Sequence, residues 1–152
     1  MKEISEINEL IEKIPYIDMA SVTPEGMPWI SPLWTVYDEE SNFYWTSSPD
    51  SQHSINILNK DDVFITIYDS SVTSDGWALY AFAEAYELKD ETEIQKAINI
   101  FYKRKGKSPR PVEDFINDAP RRMYKAVTTK FWINDYDKNR VPADFKIEVK
   151  LK

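Results

Sequence analysis

The chain has 152 residues, enough for one domain with a sizeable core, and its 26 acidic and 19 basic side chains give a formal net charge of −7. An acidic protein gains little from a polyanion, so we expect no binding to nucleic acid or to an anionic membrane surface. With no Cys and a single His, the sequence excludes disulfides, thiolate metal sites, cysteine nucleophiles and any site that takes two imidazoles from one subunit, and we expect no metal.

Segments for targeting or for spanning a membrane are not evident in the sequence. No apolar run approaches the roughly 20 residues of a spanning helix. Residues 1–6 are acidic overall and contain no apolar core of the signal-peptide type. We therefore expect a soluble cytoplasmic protein that forms a single domain over residues 1–152.

The first part of the chain predicts a helix followed by a hairpin. Apolar residues recur at helical spacing over 3–14, and Pro15 ends this helix. Alternating residues predict a strand over 16–23, and Thr23-Pro-Glu-Gly26 has the composition of a turn. A second strand is predicted over 29–37.

Proline makes the second predicted strand unusual. Pro32 cannot donate to a ladder, so we expect its nitrogen to face an edge, a bulge or a ligand. A third strand is predicted over 43–47, and a short helix over about 51–59 with Asp50 as its N-cap. Residues 63–68 form a continuous apolar run, which predicts a strand covered on both faces.

The rest of the chain predicts one more long helix and further strands. Strand five is predicted over 77–88, and Asp90 or Thr92 caps the helix that follows. This order of elements is that of a small antiparallel barrel with helices outside it, an α+β domain. The remaining predicted elements are a helix over 90–105, a wrapped loop over 106–120 with a helical turn near 112–117, and strands over 124–136 and 145–149.

Residues 47–54 are the best candidate for a site. They contain four Ser, one Gln and the only His, directly before a predicted helix. Hydroxyl groups and free N–H groups at a helix N-terminus can form an uncharged phosphate-binding site. The alternative is that the serines only cap the helix. His53 could bond a phosphate or lie on the helix surface, and no nucleophile elbow accompanies it to suggest a catalytic triad.

Other polar groups have simpler explanations. The carboxylates at 38–40 and 61–62 lie in predicted turns, where they would be solvated. The basic run 103–110 could bind a nucleotide tail, but it also complements the dipole of the helix that it ends. Three scattered glycines cannot build a Walker loop or a dinucleotide-binding loop.

A turn of the Asp-Gly kind at 23–26, a Ser-Pro strand at 31–32 and a Ser-Pro-Asp-Ser loop at 48–51 follow one another in this order. In this order they resemble the pyridoxamine 5′-phosphate oxidase-like superfamily of FMN-binding split β-barrels. The resemblance covers about residues 16–88, and residues 119–133 look like the end of one branch of that superfamily. It implies a six- to seven-stranded antiparallel split β-barrel with peripheral helices. It further implies a homodimer with two FMN molecules at the subunit interface, acting on a small-molecule substrate.

The resemblance also implies which residues contact the flavin ring. By position, Leu33, Trp34 and Thr35 would face the ring or its edge. Trp77, at the start of strand five, could come from the other subunit and cover the ring.

A second set of implied residues would hold the rest of the cofactor. Ser51, Gln52 and His53 take the positions of the family's phosphate-binding Ser-Arg-Lys. Because two cations are replaced, the phosphate would depend more on hydroxyl and backbone donors. The residues implied to line the ribityl chain and ring are Trp45, Thr46 and Ser47.

True pyridoxamine 5′-phosphate oxidase activity is not expected. The family's substrate-binding Arg and His have no counterpart near the C-terminal strand, where Arg140 is the only Arg and no His occurs. The leading hypothesis is an FMN-dependent oxidoreductase in which reduced flavin passes electrons to a small acceptor. The alternative is a protein that binds flavin, or another planar ligand such as haem or a deazaflavin, without turnover. Aromatic residues make up 14% of the chain, which suits either a planar ligand or an aromatic-rich core.

Overall fold

The computed structural model describes residues 4–72, 76–136, 138–139 and 141–149, and Arg140 lies outside this described part. Within it, three α-helices, one 3-10 helix and eight strand segments follow the predicted order. The helices are α1 (Ile4–Lys13), α2 (Gln52–Asn59), α3 (Glu91–Arg104) and the 3-10 helix Val112–Phe115, and the strands are β1 (Tyr16–Val22), β2 (Pro28–Trp34), β3 (Val36–Tyr37), β4 (Phe43–Ser47), β5 (Asp62–Tyr68), β6 (Ala78–Glu87), β7 (Arg122–Tyr136) and β8 (Pro142–Val149).

All strands pair antiparallel in one sheet of order β2-β1-β5-β6-β7-β4-β3, and β8 pairs with β7. β2 and β3 stand at opposite ends of this order, yet only Thr35 separates them in the chain. The sheet must therefore curl until its two edges approach each other. This curled sheet with peripheral helices confirms the predicted α+β split barrel.

The predicted second strand over 29–37 is interrupted at Thr35, which is a correction to the sequence prediction. The Thr35 amide donates to the carbonyl oxygen of Pro15 at 2.8 Å rather than to a neighbouring strand. Before this break β2 pairs with β1 alone. Pro32 therefore lies on an edge strand, where a missing amide proton is tolerated, as its sequence context predicted.

Two apolar cores lie against the curled sheet. The inner core combines the buried face of α1 with inward-facing residues of the strands, among them Ile17, Met19 and Ile65. The second core lies under α3, whose Phe101 packs with Val36 and other residues of the facing strands. Asp90 caps α3 by accepting the Glu93 amide at 3.0 Å, which confirms the predicted capping position.

Two further predictions need correction. The N-cap of α2 is Ser51 rather than Asp50, and no side chain caps this helix. The strand predicted to be covered on both faces is fully buried on one face only. Phe64 and Thr66, on the other face of β5, are half-buried, and Tyr68 is exposed. Within the described residues, no helix is long and apolar enough to cross a membrane.

Candidate functional site

A compact set of hydroxyl groups surrounds the imidazole of His53 where β4 passes into α2. His53 Nε2 lies 2.8 Å from Ser47 Oγ and 3.1 Å from Ser51 Oγ. Ser51 Oγ lies 2.8 Å from Ser54 Oγ. We call Ser47, Ser51, His53 and Ser54 the serine–histidine cluster. The structure thus brings together three of the residues implied to bind the cofactor and adds Ser54, which the resemblance did not single out.

The short loop before α2 holds the cluster in place. The carbonyl oxygen of Ser48 accepts hydrogen bonds from Ser51 Oγ at 2.9 Å and from Ser54 Oγ at 2.8 Å. Because no side chain caps α2, the amides of its first turn keep their capacity to bond an acceptor. The positive end of the helix dipole lies at the same place. The cluster therefore combines hydroxyl groups, one imidazole and the N-terminus of an eight-residue helix.

Burial holds the pKa of His53 below its ordinary value. The imidazole is therefore mainly neutral at neutral pH, with one ring nitrogen as donor and the other as acceptor. Both hydroxyl contacts to His53 use Nε2. The cluster is consequently a polar site without a permanent charge of its own.

We expect His53 to make the fold sensitive to mild acid. Its pKa in the unfolded chain is about 6.5 and is lower in the folded chain, so the unfolded chain takes up the proton first as pH falls. The stability contributed by the neutral ring is complete above about pH 6.5 and declines below it. Urea unfolding at several pH values from about 7.5 to 5.5 should show a steeper fall for the wild type than for His53→Ala. Equal pH dependence in the two proteins would contradict this prediction.

Gln52 does not contribute its side chain to the cluster. Its Nε2 donates to Asn56 Oδ1 at 2.8 Å, and Asn56 Nδ2 donates to Ser21 Oγ at 2.9 Å. This chain of amides ties α2 to β1. Of the Gln52-His53 pair that replaces the family's two cations, only His53 therefore reaches the other cluster side chains.

A cation does lie across the sheet from the cluster. The β4–β7 register places Arg122 opposite Ser47. The Arg122 guanidinium is bonded to Glu87 at 3.3 Å and to the carbonyl oxygens of Ala119 and Asn117. Its charge is thus partly neutralised, and its donors are directed away from Ser47.

The residues implied to face the flavin ring each have partners of their own in this structure. Leu33 lies in the inner core, and Trp34 packs edge-on against Phe101 at 5.0 Å between ring centroids. The Thr35 hydroxyl donates to Pro15 O at 3.4 Å. Trp77 is half-buried beside the inner core. In this structure, the side chains of these four residues contribute to packing and to the β2–β3 junction.

Trp45 is also an interior residue. It is 1% exposed and stacks on Tyr124, its partner across β4 and β7, at 5.6 Å between ring centroids. Tyr124 and Ser54 line the same cavity, so the stacked pair lies next to the cluster. No local sequence signal could identify Tyr124, because only the pairing of distant strands places it there.

Two buried polar atoms immediately before Ser47 have no hydrogen-bond partner among the described residues. They are Trp45 Nε1 and Thr46 Oγ1. An unpaired buried donor or acceptor costs about 1–3 kcal/mol, so such atoms are rare unless a ligand or water completes them. The cluster itself provides the hydroxyl, imidazole and backbone donors that the phosphate of a ligand such as FMN requires. The residues present therefore fit FMN in chemical type.

These features define a split barrel with a hydroxyl-rich site at a helix N-terminus. The family model described as "Pyridoxamine 5′-phosphate oxidase" matches residues 4–132. The chain belongs to this family. No curated protein matches the chain.

Solved structures with the same fold include proteins of different activities. A proposed 5-nitroimidazole antibiotic resistance protein from Bacteroides thetaiotaomicron has a TM-score of 0.71 and 14% identity over 88% of this chain and 84% of its own. The haem storage protein HutZ from Vibrio cholerae has a TM-score of 0.66 and 16% identity, over 85% of this chain and 92% of its own. An F420 reductase has a TM-score of 0.60 and 18% identity, over 82% of this chain and 94% of its own. At such identities the likeness shows the fold alone.

Proposed function

We propose that this protein binds FMN and is a flavin-dependent oxidoreductase acting on a small-molecule substrate. The observation that carries the proposal is the serine–histidine cluster, which lies at the uncapped N-terminus of α2 beside two buried polar atoms without partners. When bound, FMN supplies the electron-transfer chemistry, and the protein has to bind and orient it. The chain lacks Cys and has one His, and flavin chemistry requires neither group.

The phosphate would be held mainly by neutral donors. Ser47, Ser51 and Ser54 offer hydroxyl groups, His53 offers a ring N–H, and the first turn of α2 offers backbone amides. The Ser51 and Ser54 hydroxyl groups would exchange their bonds to the Ser48 carbonyl oxygen for bonds to phosphate oxygens, and Ser47 and His53 would exchange their contact with each other. Thr46 Oγ1, the next hydroxyl along β4, would bond the ribityl chain. The ring would then contact backbone groups of β2 and β4, since Trp34 and Trp45 are packed elsewhere.

The second candidate function is binding without turnover. Fold relatives include a haem storage protein and an F420 reductase, so the barrel is compatible with more than one planar ligand. Because the cluster is uncharged, it would bind a phosphate group through neutral hydrogen-bond donors rather than through cations. His53, the one imidazole that this chain could offer to haem iron, already contacts two hydroxyl groups through Nε2.

A titration of the purified protein with FMN tests both functions. Quenching of flavin fluorescence measures binding, and bleaching of the bound flavin by a reduced nicotinamide measures turnover. Binding with bleaching supports the oxidoreductase, and binding without bleaching by any reductant tested supports the second candidate. A mass spectrum of any small molecule released on denaturation identifies the natural ligand. Absence of both FMN binding and a released flavin would refute the proposal.

We expect His53→Ala and Ser51→Ala each to weaken FMN binding by about 3- to 10-fold at pH 7.5, because each removes a neutral hydrogen-bond donor worth about 0.5–1.5 kcal/mol. The effect of His53→Ala should grow toward about 1.5–3 kcal/mol at a pH where the imidazole is charged. Fluorescence titration gives the dissociation constants. Ser71→Ala is the matched control, since its hydroxyl bonds Asp69 on an exposed loop. Unchanged affinity of both cluster variants at pH 6 would remove the cluster from the site.

We also propose that the protein is a homodimer that associates through the outer face of the sheet. Strand pairing aligns Ile30, Ala20, Phe64 and Phe82 in one row across β2, β1, β5 and β6. Ile30 is 67% exposed, and the other three are half-buried. An apolar row of this kind on the surface is typical of an interface. A second copy would cover the half-buried face of β5, whose continuous apolar sequence predicted burial on both sides.

Beside this row lies an aromatic group that extends the apolar surface. Phe64 contacts Trp132 at 6.0 Å and Tyr80 at 6.1 Å between ring centroids. Rings that are already packed against one another lose little side-chain freedom on association, so they suit the centre of an interface. We call Ile30, Ala20, Phe64, Phe82, Tyr80 and Trp132 the outer apolar face.

A further inference from the structure

A pocket lies between α2 and the ends of β6 and β7. It is a cavity of about 370 Å³, a size typical of pockets for small organic ligands. Its inner wall includes Ser54 and Tyr124, and its apolar walls include Ile57 and Ala85. At its mouth Leu58 is 87% exposed.

The mouth of this pocket is unusually apolar for a surface. Tyr86, which also lines it, is 40% exposed. A nearly fully exposed leucine facing an exposed tyrosine across a cavity leaves apolar area in contact with water. Burial of that area by a ligand would be favourable by about 25 cal/mol per Å². The pocket therefore suits a ligand with an apolar body.

The charged groups that line the pocket are both acidic. They are Asp61 and Glu87, and no Lys or Arg side chain lines it among the described residues. Glu87 is paired with Lys89 and Arg122, so its charge is partly balanced from outside the cavity. The lining thus offers two carboxylates to an ammonium group, and the Asp61 carboxylate is the more exposed of the two.

We propose that this pocket binds a small organic cation, an amine attached to an apolar or aromatic group. The apolar body would lie against Ile57 and Leu58, with the ammonium group directed at Asp61 and Glu87. Ser54, a member of the serine–histidine cluster, lines the pocket together with Tyr124, so the pocket and the cluster are adjacent. The proposal concerns the chain itself and does not depend on whether FMN is bound.

Binding of two matched probes tests the proposal. 2-Phenylethylammonium and 3-phenylpropionate have an aromatic ring on a short chain and opposite charges. Calorimetric or NMR titration of the full chain should show that the cation binds more tightly than the anion, by roughly tenfold or more. In NMR, the perturbed amide signals should centre on Leu58 and Tyr86.

Two variants of one helix locate the site. Leu58→Lys places an ammonium group at the mouth and should weaken cation binding by roughly tenfold. Ile55→Lys is the matched control, because Ile55 is 41% exposed on the same helix and does not line the pocket. Both variants should keep the wild-type unfolding midpoint, because neither residue is buried.

Several results would overturn the proposal. They are the absence of cation binding by the wild type, equal binding of the anion, or equal effects of the two lysine variants. A shift in oligomeric state caused by Leu58→Lys alone would assign the pocket to contact with a second copy of the chain. A wild type that binds the cation, but neither binds FMN nor releases a flavin on denaturation, would refute the flavin proposal and leave this one standing.

Discussion

We expect the Arg104→Met variant to lose about 3 kcal/mol of the free energy of unfolding. The guanidinium of Arg104 donates to the carbonyl oxygens of Ile11 at 3.0 Å, Glu12 at 2.7 Å and Thr35 at 3.4 Å. The first two belong to the last turn of α1, whose carbonyls have no partner within the helix. One side chain at the end of α3 therefore ties α1 and the β2–β3 junction together.

The size of the effect follows from the kind of hydrogen bond that is lost. A hydrogen bond from a charged donor contributes about 1.5–3 kcal/mol to the free energy of unfolding. In the methionine variant the three carbonyl oxygens can be hydrogen-bonded only by water. Arg104 also lies 5.9 Å from the ring centroid of Trp34 and 5.8 Å from that of Tyr37. Met retains part of the apolar stem of Arg, so the comparison isolates the guanidinium.

Chemical denaturation of Arg104→Met and Lys103→Met measures this difference. Lys103 is the neighbouring residue on α3 and is exposed, so its variant should stay within about 0.5 kcal/mol of the wild type. If the two variants were equally stable, the hydrogen bonds from α3 to α1 would not contribute as described.

The helices and most strands could be predicted because their signals are local. The apolar face of α1 repeats at helical spacing, and Pro15 follows its end. At α3, Asp90 precedes the amphipathic stretch by one residue and caps it. Such signals involve neighbours within one or two turns, so a sequence contains all the information that they need.

The features that the sequence did not predict depend on contacts between distant residues. Thr35 interrupts the second strand because its amide bonds Pro15, across the closed edge of the sheet. Trp34 and Trp45, which the resemblance implies as cofactor contacts, are each packed against an aromatic ring from a remote element, and their contact with a cofactor stays a prediction. A tryptophan in a strand has the same local pattern in either role, and only the register decides between them.

The candidate site likewise combines residues that are close in sequence with residues that only strand pairing brings near. Ser47, Ser51 and His53 lie within seven consecutive residues, so their proximity could be expected from a strand that turns into a helix. Tyr124 comes to lie next to the site, and Arg122 opposite Ser47, through the pairing of β7 with β4. That pairing brings together the fourth and seventh strands in chain order, which no spacing rule indicates.

We expect the Phe64→Lys variant to weaken self-association by about 100-fold or more, because an aromatic anchor is removed and an unpaired ammonium is placed in an apolar contact. Phe64 lies near the middle of the outer apolar face, between Ala20 of β1 and Phe82 of β6. Sedimentation velocity over a range of concentrations should show a dimer for the wild type and a monomer for the variant. If the flavin site is shared between subunits, the monomer should lose FMN binding as well.

Ile55→Lys is the control for this experiment, since it introduces the same charge on α2, outside the outer apolar face. Phe64 is half-buried on one side of β5, and the inner core on the other side does not include it, so the variant should remain folded. Circular dichroism and the unfolding midpoint verify this. A wild type that binds FMN as a stable monomer would contradict both the dimer and a shared site. A Phe64→Lys variant that remains dimeric would place the interface elsewhere on the barrel.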